Sequence, residues 1–288
     1  MKTAFIGFNQ GQYGDLFISL TACRVLKRTF PDCFLIYSVN RKYSDCIEIL
    51  KLSEDIDDFA IWEGYDDYPL DSDKQYLKYI LGYLRDAGFE KFHQFNPMQE
   101  HTILDWPNYW HQTEEACVMY KLPRPTDSEM DFKLRKPNLE QEETITICTG
   151  RRKEKDGLIN TKALTIEIIE SVKNFAEKNN LTLIQIGADE EEGIDGVEKF
   201  KGNYSESVLK VLKSKLLVSC DTGMIWVSSA FSHPTVGLYD LSYYNFAKSC
   251  GNWTPKNKNQ KTFYADLMKN IDLQELEESL TNIYNIVK

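Results

Sequence analysis

Three short segments carry residue types whose spacing suits the binding of an anionic ligand. In Gly11-Gln-Tyr-Gly14-Asp15, two glycines follow an apolar run at Lys2–Phe8 and precede a helical pattern. Glycines between a strand and a helix permit tight turns and close backbone approach, and the unpaired N–H groups of a helix start attract anions. Asp15 reads there as an N-cap or first-turn residue favoured by the helix dipole. It also stands at the carboxyl end of the first strand, where open α/β sheets place ligands. In Val218-Ser-Cys-Asp221-Thr222-Gly223-Met224, a strand again runs into small and polar residues and a helix start. Asp221 reads as a cap, while Thr222 and Gly223 can offer a hydroxyl and an amide to a diphosphate. The third segment, Cys148-Thr149-Gly150-Arg151-Arg152-Lys153-Glu154-Lys155, places four cations behind the strand Thr144–Cys148. Such a run is often a solvated surface, but in an acidic protein its position at a strand's carboxyl end suggests an anion pocket.

The elements that must position these segments alternate along the chain. Strands are expected at Lys2–Phe8, Cys33–Val39, Phe59–Trp62 and Phe92–Phe95, with helices at Leu16–Thr29, Tyr43–Leu52, Lys74–Asp86 and Tyr109–Tyr120. Behind a stretch with Pro123, Pro125 and Pro137 the alternation resumes. Strands are expected at Thr144–Cys148, Leu181–Ile186, Leu216–Ser219 and Thr235–Tyr239. The intervening helices are Thr165–Lys178, Glu206–Lys213 and Met224–Phe231. Strands buried on both faces and separated by helices imply parallel βαβ units. The expected fold is therefore α/β, with two Rossmann-like domains facing across a cleft. The first spans residues 1–122, a linker 123–143, and the second 144–288; the last helix, Leu273–Val287, is a candidate for crossing back onto the first domain.

Composition narrows the classes. The 288 residues carry 34 Lys and Arg against 44 Asp and Glu, a net charge of −10, which opposes general binding to nucleic acid or anionic membranes. No window reaches the ~20 apolar residues of a membrane helix, and the start lacks a signal-peptide pattern. Seven scattered cysteines without a C-x-x-C pair fit reduced thiols and a cytoplasmic protein. Neither G-x-x-x-x-G-K-[ST] nor a full G-x-G-x-x-G is present, so ATPase and dehydrogenase readings lack their phosphate loops. Asp55-Ile-Asp57 and Asp71-Ser-Asp73 formally match an Asp-x-Asp metal motif but lie in acidic, turn-like stretches. His93, His101, His111 and Cys117 show no metal-ligand spacing, so no metal or cofactor is expected. The aromatic cluster Trp106-Pro-Asn-Tyr-Trp110 reads as core or interdomain packing, with sugar stacking as the alternative.

Together these residues carry a resemblance. Gly11-x-x-Gly14-Asp15-Leu, with Arg24-x-x-Lys27 and Phe30-Pro31-Asp32 behind it, looks like the N-terminal signature of the heptosyltransferase-like glycosyltransferase family 9. Further on, Gly187-Ala-Asp-Glu190 and Asp221-Thr222-Gly223-x-x-Trp226, continuing to Pro234-Thr-Val-Gly-Leu-Tyr239, resemble the family's second block. The likeness runs from about residue 3 to 240 and weakens between about 60 and 140. It implies a glycosyltransferase B architecture and an inverting, metal-independent transfer of a sugar, heptose being one candidate. The donor would be a nucleotide-diphosphate sugar, and the acceptor a hydroxyl of a glycan, lipid-linked glycan or protein. It further implies Asp15 as general base, Gly11 and Gly14 in a phosphate or acceptor loop, and Thr149, Lys153, Thr222 and Gly223 on the diphosphate. Asp221 joins the donor-binding set, and Asp189 or Glu190 recognises the nucleoside or sugar. The chain departs from the family in having Trp226 where a histidine is usual, and in lacking a Trp-Pro sequel to the basic run. That second departure leaves Arg151, Arg152 and Lys155 as alternatives to Lys153. Two other readings keep the fold: a catalytically silent binding or regulatory protein, motivated by Trp226, and a sugar-nucleotide epimerase.

Overall fold

In the computed structural model the described residues are 2–9, 12–62, 71–98, 114, 117, 121–131, 134–151, 162–240, 254–255, 257–265 and 268–287. The chain divides into two units, Met1–Arg135 and Lys136–Lys288. The first contains strands β1 (Thr3–Asn9), β2 (Phe34–Asn40), β3 (Asp58–Trp62) and β4 (Lys91–Met98), ordered β3-β2-β1-β4 and parallel throughout. Ala4, Ile6 and Ile36 on one sheet face pack with Ile80 and Leu84 of the helix Asp71–Asp86. Phe5, Leu35 and Tyr37 alternate onto the other face, as the two-residue period of a strand requires.

The expected helix over 16–29 is two helices, Tyr13–Ile18 and Leu20–Thr29, with the break at Ser19. The Ser19 hydroxyl donates to Leu16 O at 2.9 Å, and the Tyr37 hydroxyl, contacting Ser19 Oγ, donates to the same carbonyl at 3.0 Å. Side chains thus satisfy a carbonyl that a continuous helix would use. The expected helix over 43–52 is a 3₁₀ segment, Arg41–Cys46, followed by one α-helical turn, Ile47–Leu50; Asn40 caps the segment by accepting from Lys42 N–H at 2.9 Å.

The Pro-containing stretch read as a linker over 123–143 is folded in its first half. Thr126 and Glu129 form a capping box on the short helix Asp127–Met130, Met130 and Leu134 are buried, and Glu129 pairs with Arg28 at 2.8 Å. Arg135 N–H donates to Leu52 O at 3.1 Å, which ties the end of this stretch to the first unit.

The second unit contains β5 (Thr144–Cys148), β6 (Thr182–Gln185), β7 (Glu198–Lys199), β8 (Leu216–Cys220), β9 (Thr235–Asp240) and β10 (Gln260–Ala265). Their order, β10-β9-β8-β5-β6-β7, is the complete doubly wound 3-2-1-4-5-6 arrangement when counted from β5, and every pairing is parallel. Ile145, Ile147, Val218, Val236 and Leu238 form one sheet face against the helices Ile166–Lys178 and Leu273–Val287. Leu276, Leu280, Ile283 and Tyr284 of the last helix belong to this core, where Tyr284 meets Phe175 edge-on. Gly237, between Val236 and Leu238, faces the other way toward Ile225 of the helix Gly223–Ala230. The strand order reverses between β5 and β8, where Cys148 pairs with Ser219; the region beyond the carboxyl ends of two such strands is where open α/β sheets bind ligands.

Candidate functional site

The loops that follow β5, β6 and β8 bring several of the sequence-predicted residues to this end of the sheet. Thr149, following β5, is fully buried, and Gly150 adopts φ +62°, a left-handed conformation suited to glycine. A Cβ on Gly150 would lie 2.7 Å from Cys220 Sγ, so this turn sits directly on the end of β8. After β8, Thr222 occupies the N-cap position of the helix Gly223–Ala230, and its hydroxyl lies 3.0 Å from Ser219 Oγ. The Gly223 amide at the helix start is one of the N–H groups that the helix itself leaves unpaired.

Asp221 does not cap this helix. Its Oδ2 accepts from Lys162 Nζ at 2.8 Å, with both side chains mostly shielded from solvent. Lys162 stands just ahead of Thr165, the N-cap of Ile166–Lys178, and therefore belongs to the loop that leaves β5. The structure thus brings a cation from that loop to Asp221, but it is Lys162, which sequence reasoning missed. Lys153, with Arg152 and Lys155, lies outside the described residues. Arg151 is committed to holding the loop: its guanidinium donates to Leu164 O and Glu192, each at 3.2 Å.

The acidic run after β6 also differs from expectation. Asp189 and Glu190 are exposed, whereas the neighbouring Glu191 turns inward. Thr149 Oγ1 donates to Glu191 Oε2 at 3.4 Å, and the Ala188 and Gly150 N–H groups donate to the same carboxylate. A Cβ on Gly187 would come within 2.5 Å of Glu191 Oε2, so that glycine makes room for the turn. Burial raises the Glu191 pKa, opposed by the Ala188 amide, the Lys199 charge, the Thr149 hydroxyl and the Gly150 amide. At the ends of β5 and β8, burial pushes the Cys148 and Cys220 thiols well above their ordinary range, so they remain protonated and non-nucleophilic. Trp226 is 4% exposed and belongs to the core, which favours packing over an open stacking face for this departure from the family pattern.

In the first unit, Asp15 lies in the first turn of Tyr13–Ile18, beyond the carboxyl end of β1. Its Oδ2 accepts from Gln12 N–H at 2.8 Å while the Gln12 side chain accepts from the Asp15 amide, a reciprocal cap. The first-turn reading of Asp15 is therefore realised, and the residue stays partly exposed at the carboxyl end of the sheet. Gly14 is the second residue of that helix; Gly11 lies outside the described residues.

Of the acidic pairs set aside from the sequence, Asp55-Ile-Asp57 has structural partners. Asp55 pairs with Arg24 at 3.0 Å, and Asp57 pairs with Lys27 and accepts from Leu35 N–H at 2.6 Å. Asp71 and Asp73 open the helix Asp71–Asp86. His93 stacks on Phe5 with ring centroids 5.0 Å apart, Cys117 is buried, and His101, His111 and Trp106–Trp110 lie outside the described residues. Among the described residues no group of three or more His, Cys, Asp or Glu side chains could hold a metal ion. No described helix is long and apolar enough to cross a membrane.

No protein-family model and no curated protein matches the sequence. Solved structures do. The ADP-heptose lipopolysaccharide heptosyltransferase II of E. coli superposes with a TM-score of 0.67 at 14% identity, covering 99% of this chain and 98% of that one. A glycosyl transferase family 9 protein from Veillonella parvula gives a TM-score of 0.70 at 12% identity, over 98% and 97% of the two chains. The E. coli heptosyltransferase WaaC, solved with ADP, gives 0.63 at 13% identity, over 98% and 100%. The chain therefore has the fold of the heptosyltransferases, and the resemblance read from its motifs holds at the level of fold.

Proposed function

We propose that this protein is a glycosyltransferase that moves a sugar, heptose being one candidate, from a nucleotide-diphosphate donor to a hydroxyl acceptor. Inversion at the sugar carbon without a metal ion is part of the proposal. The observation that carries it is the strand-order switch point of the second unit, past which the loops after β5 and β8 bring Lys162 to Asp221 and set Thr222 and the Gly223 amide at a helix start. A departing diphosphate gains negative charge, and a fixed cation with helix-start N–H groups stabilises it. Asp221 holds Lys162 in place through their 2.8 Å contact. Glu191, in the loop that follows the unit's second strand, is assigned the ribose hydroxyls, by analogy with the carboxylate that dinucleotide-binding doubly wound folds use there.

In the first unit Asp15 acts as the general base. An acceptor hydroxyl attacks poorly until partly deprotonated, and a carboxylate within ~3 Å supplies the proton acceptor. Asp15→Asn keeps an oxygen able to accept from Gln12 N–H, so the substitution removes the base and spares the cap. Transfer is expected to fall by about 10²–10⁴-fold with donor affinity preserved; unchanged turnover would remove Asp15 from the role.

The decisive experiment is thermal-shift titration with ADP, GDP, UDP, CDP and TDP, then with ADP-heptose and other nucleotide sugars, without metal and with Mg²⁺. A ligand at about 100 times its Kd stabilises by about 2.7 kcal/mol, which a melting curve resolves. Metal-independent stabilisation by one nucleoside diphosphate is the expected result and names the donor class. Stabilisation only with Mg²⁺ would overturn the metal-free mechanism, and no stabilisation by any of them would favour a catalytically silent binding protein.

A further inference from the structure

Asp15 rides on a helix of only six residues, Tyr13–Ile18, and the ends of so short a helix are prone to fray. Both ends are nevertheless tied to the neighbouring strand and its turn. At the far end, Tyr37 of β2 donates to Leu16 O at 3.0 Å, and Leu16, Phe17 and Ile18 are buried. At the near end, the Tyr13 hydroxyl donates to Asp45 Oδ1 at 2.7 Å, and the Tyr13 ring meets Tyr43 edge-on with centroids 4.9 Å apart.

The turn that supplies Asp45 and Tyr43 is itself well fixed. It is the 3₁₀ segment Arg41–Cys46, capped by Asn40, with Tyr43 and Cys46 buried and Lys42 Nζ lying 5.3 Å from the Tyr43 ring centroid. Burial and the Asp45 carboxylate raise the Tyr13 pKa, so the phenol stays a hydrogen-bond donor. We infer that the Tyr13–Asp45 bond is a positioning device: it fixes the first helical turn against the turn after β2 and so sets the direction of the Asp15 carboxylate. The inference rests on the proposed role of Asp15, although the clamp itself can be tested without it. A general base must be held to within a fraction of an ångström of its proton, and a 1 Å misplacement can cost about 10²-fold in rate.

The test compares Tyr13→Phe, which keeps the ring contact with Tyr43, with Asp45→Ala and with Asp45→Asn, which retains an acceptor oxygen. Tyr13→Phe and Asp45→Ala are expected to lower kcat by about 10–100-fold, with donor KM within about twofold of wild type; their combination should be no worse than either alone. Asp45→Asn should recover most of the rate. Independently of turnover, amide hydrogen exchange at Asp15 and Leu16 should rise by about tenfold or more in the first two variants. Unchanged exchange in folded Tyr13→Phe and Asp45→Ala proteins would overturn the clamp. Faster exchange with unchanged kcat would overturn its positioning role. If the wild-type protein transfers no sugar at all, the exchange result still decides the clamp, while the failure belongs to the proposed activity.

Discussion

Acidification should destabilise the second unit through one buried imidazole. His233, just ahead of β9, is 1% exposed, and its Nδ1 has no hydrogen-bond partner among the described residues. Its Nε2 lies 3.5 Å from Ser214 Oγ, which is linked in turn to Thr146 Oγ1 at 3.1 Å. Burial, with a smaller contribution from the Lys136 charge, lowers its pKa from 6.5 to about 3. The native protein therefore keeps this ring neutral where the unfolded chain protonates it, so the unfolded state binds more protons between those two values and stability falls as the pH is lowered. At 1.36 kcal/mol per pKa unit, moving from pH 7.5 to 5.0 removes about 2 kcal/mol through this one group. Urea unfolding of wild type and His233→Gln at both pH values isolates the contribution, because the other titrating groups are common to both proteins. The wild type should lose about 2 kcal/mol more than the variant over that interval. Parallel losses would refute the reasoning and mean that the ring is already protonated, or hydrated, in the native state.

Other perturbations bear on the donor site. Lys162→Met should weaken nucleoside diphosphate binding by about 10–100-fold, since it removes a charge-assisted contact and the cation that the Asp221 carboxylate accepts from. Adding Asp221→Asn to that variant should recover part of the loss in a calorimetric titration. Glu191→Gln should lower affinity for nucleoside diphosphates and leave inorganic pyrophosphate binding unchanged, because pyrophosphate has no ribose; equal weakening of both would place Glu191 elsewhere. Gly150→Ala should cost about 2–3 kcal/mol from its positive φ and the approach to Cys220 Sγ. In urea unfolding, Cys220→Ala should relieve the contact portion of that cost and leave the φ portion.

Much of the scaffold was legible because buried parallel strands are short apolar runs: Thr144–Cys148 has the expected bounds, and Leu216–Cys220 extends its expectation by one residue. The two strands that escaped notice are at the sheet's edges. Glu198–Lys199 is two residues long, and in Gln260–Ala265 only Phe263 and Ala265 are buried, so neither makes an apolar run. The helix break at Ser19 was hidden because its cause, Tyr37, is distant in sequence. Thr149 and Asp221 directly follow strands and Thr222 comes one residue later, which made all three legible as loop candidates. Lys162 is not legible from sequence because its partner Asp221 is distant along the chain and nothing in its own surroundings marks one lysine near a helix N-cap. Among Asp189, Glu190 and Glu191, composition offers no means of choosing; the inward side chain is selected by the backbone turn at Gly187 and Ala188.

Six cysteines, Cys23, Cys33, Cys46, Cys117, Cys148 and Cys220, are free and buried, four in one unit and two in the other. A thiol reagent can reach them only when the surrounding structure opens, so the rate at which each is modified measures the free energy of the opening that exposes it. The protein thus contains its own set of depth gauges. Cys148 and Cys220, beneath the Thr149–Gly150 turn, would register a donor closing over that turn as slower labelling, while Cys46, beside Asp45, would register loosening of the turn that holds the Asp15 helix.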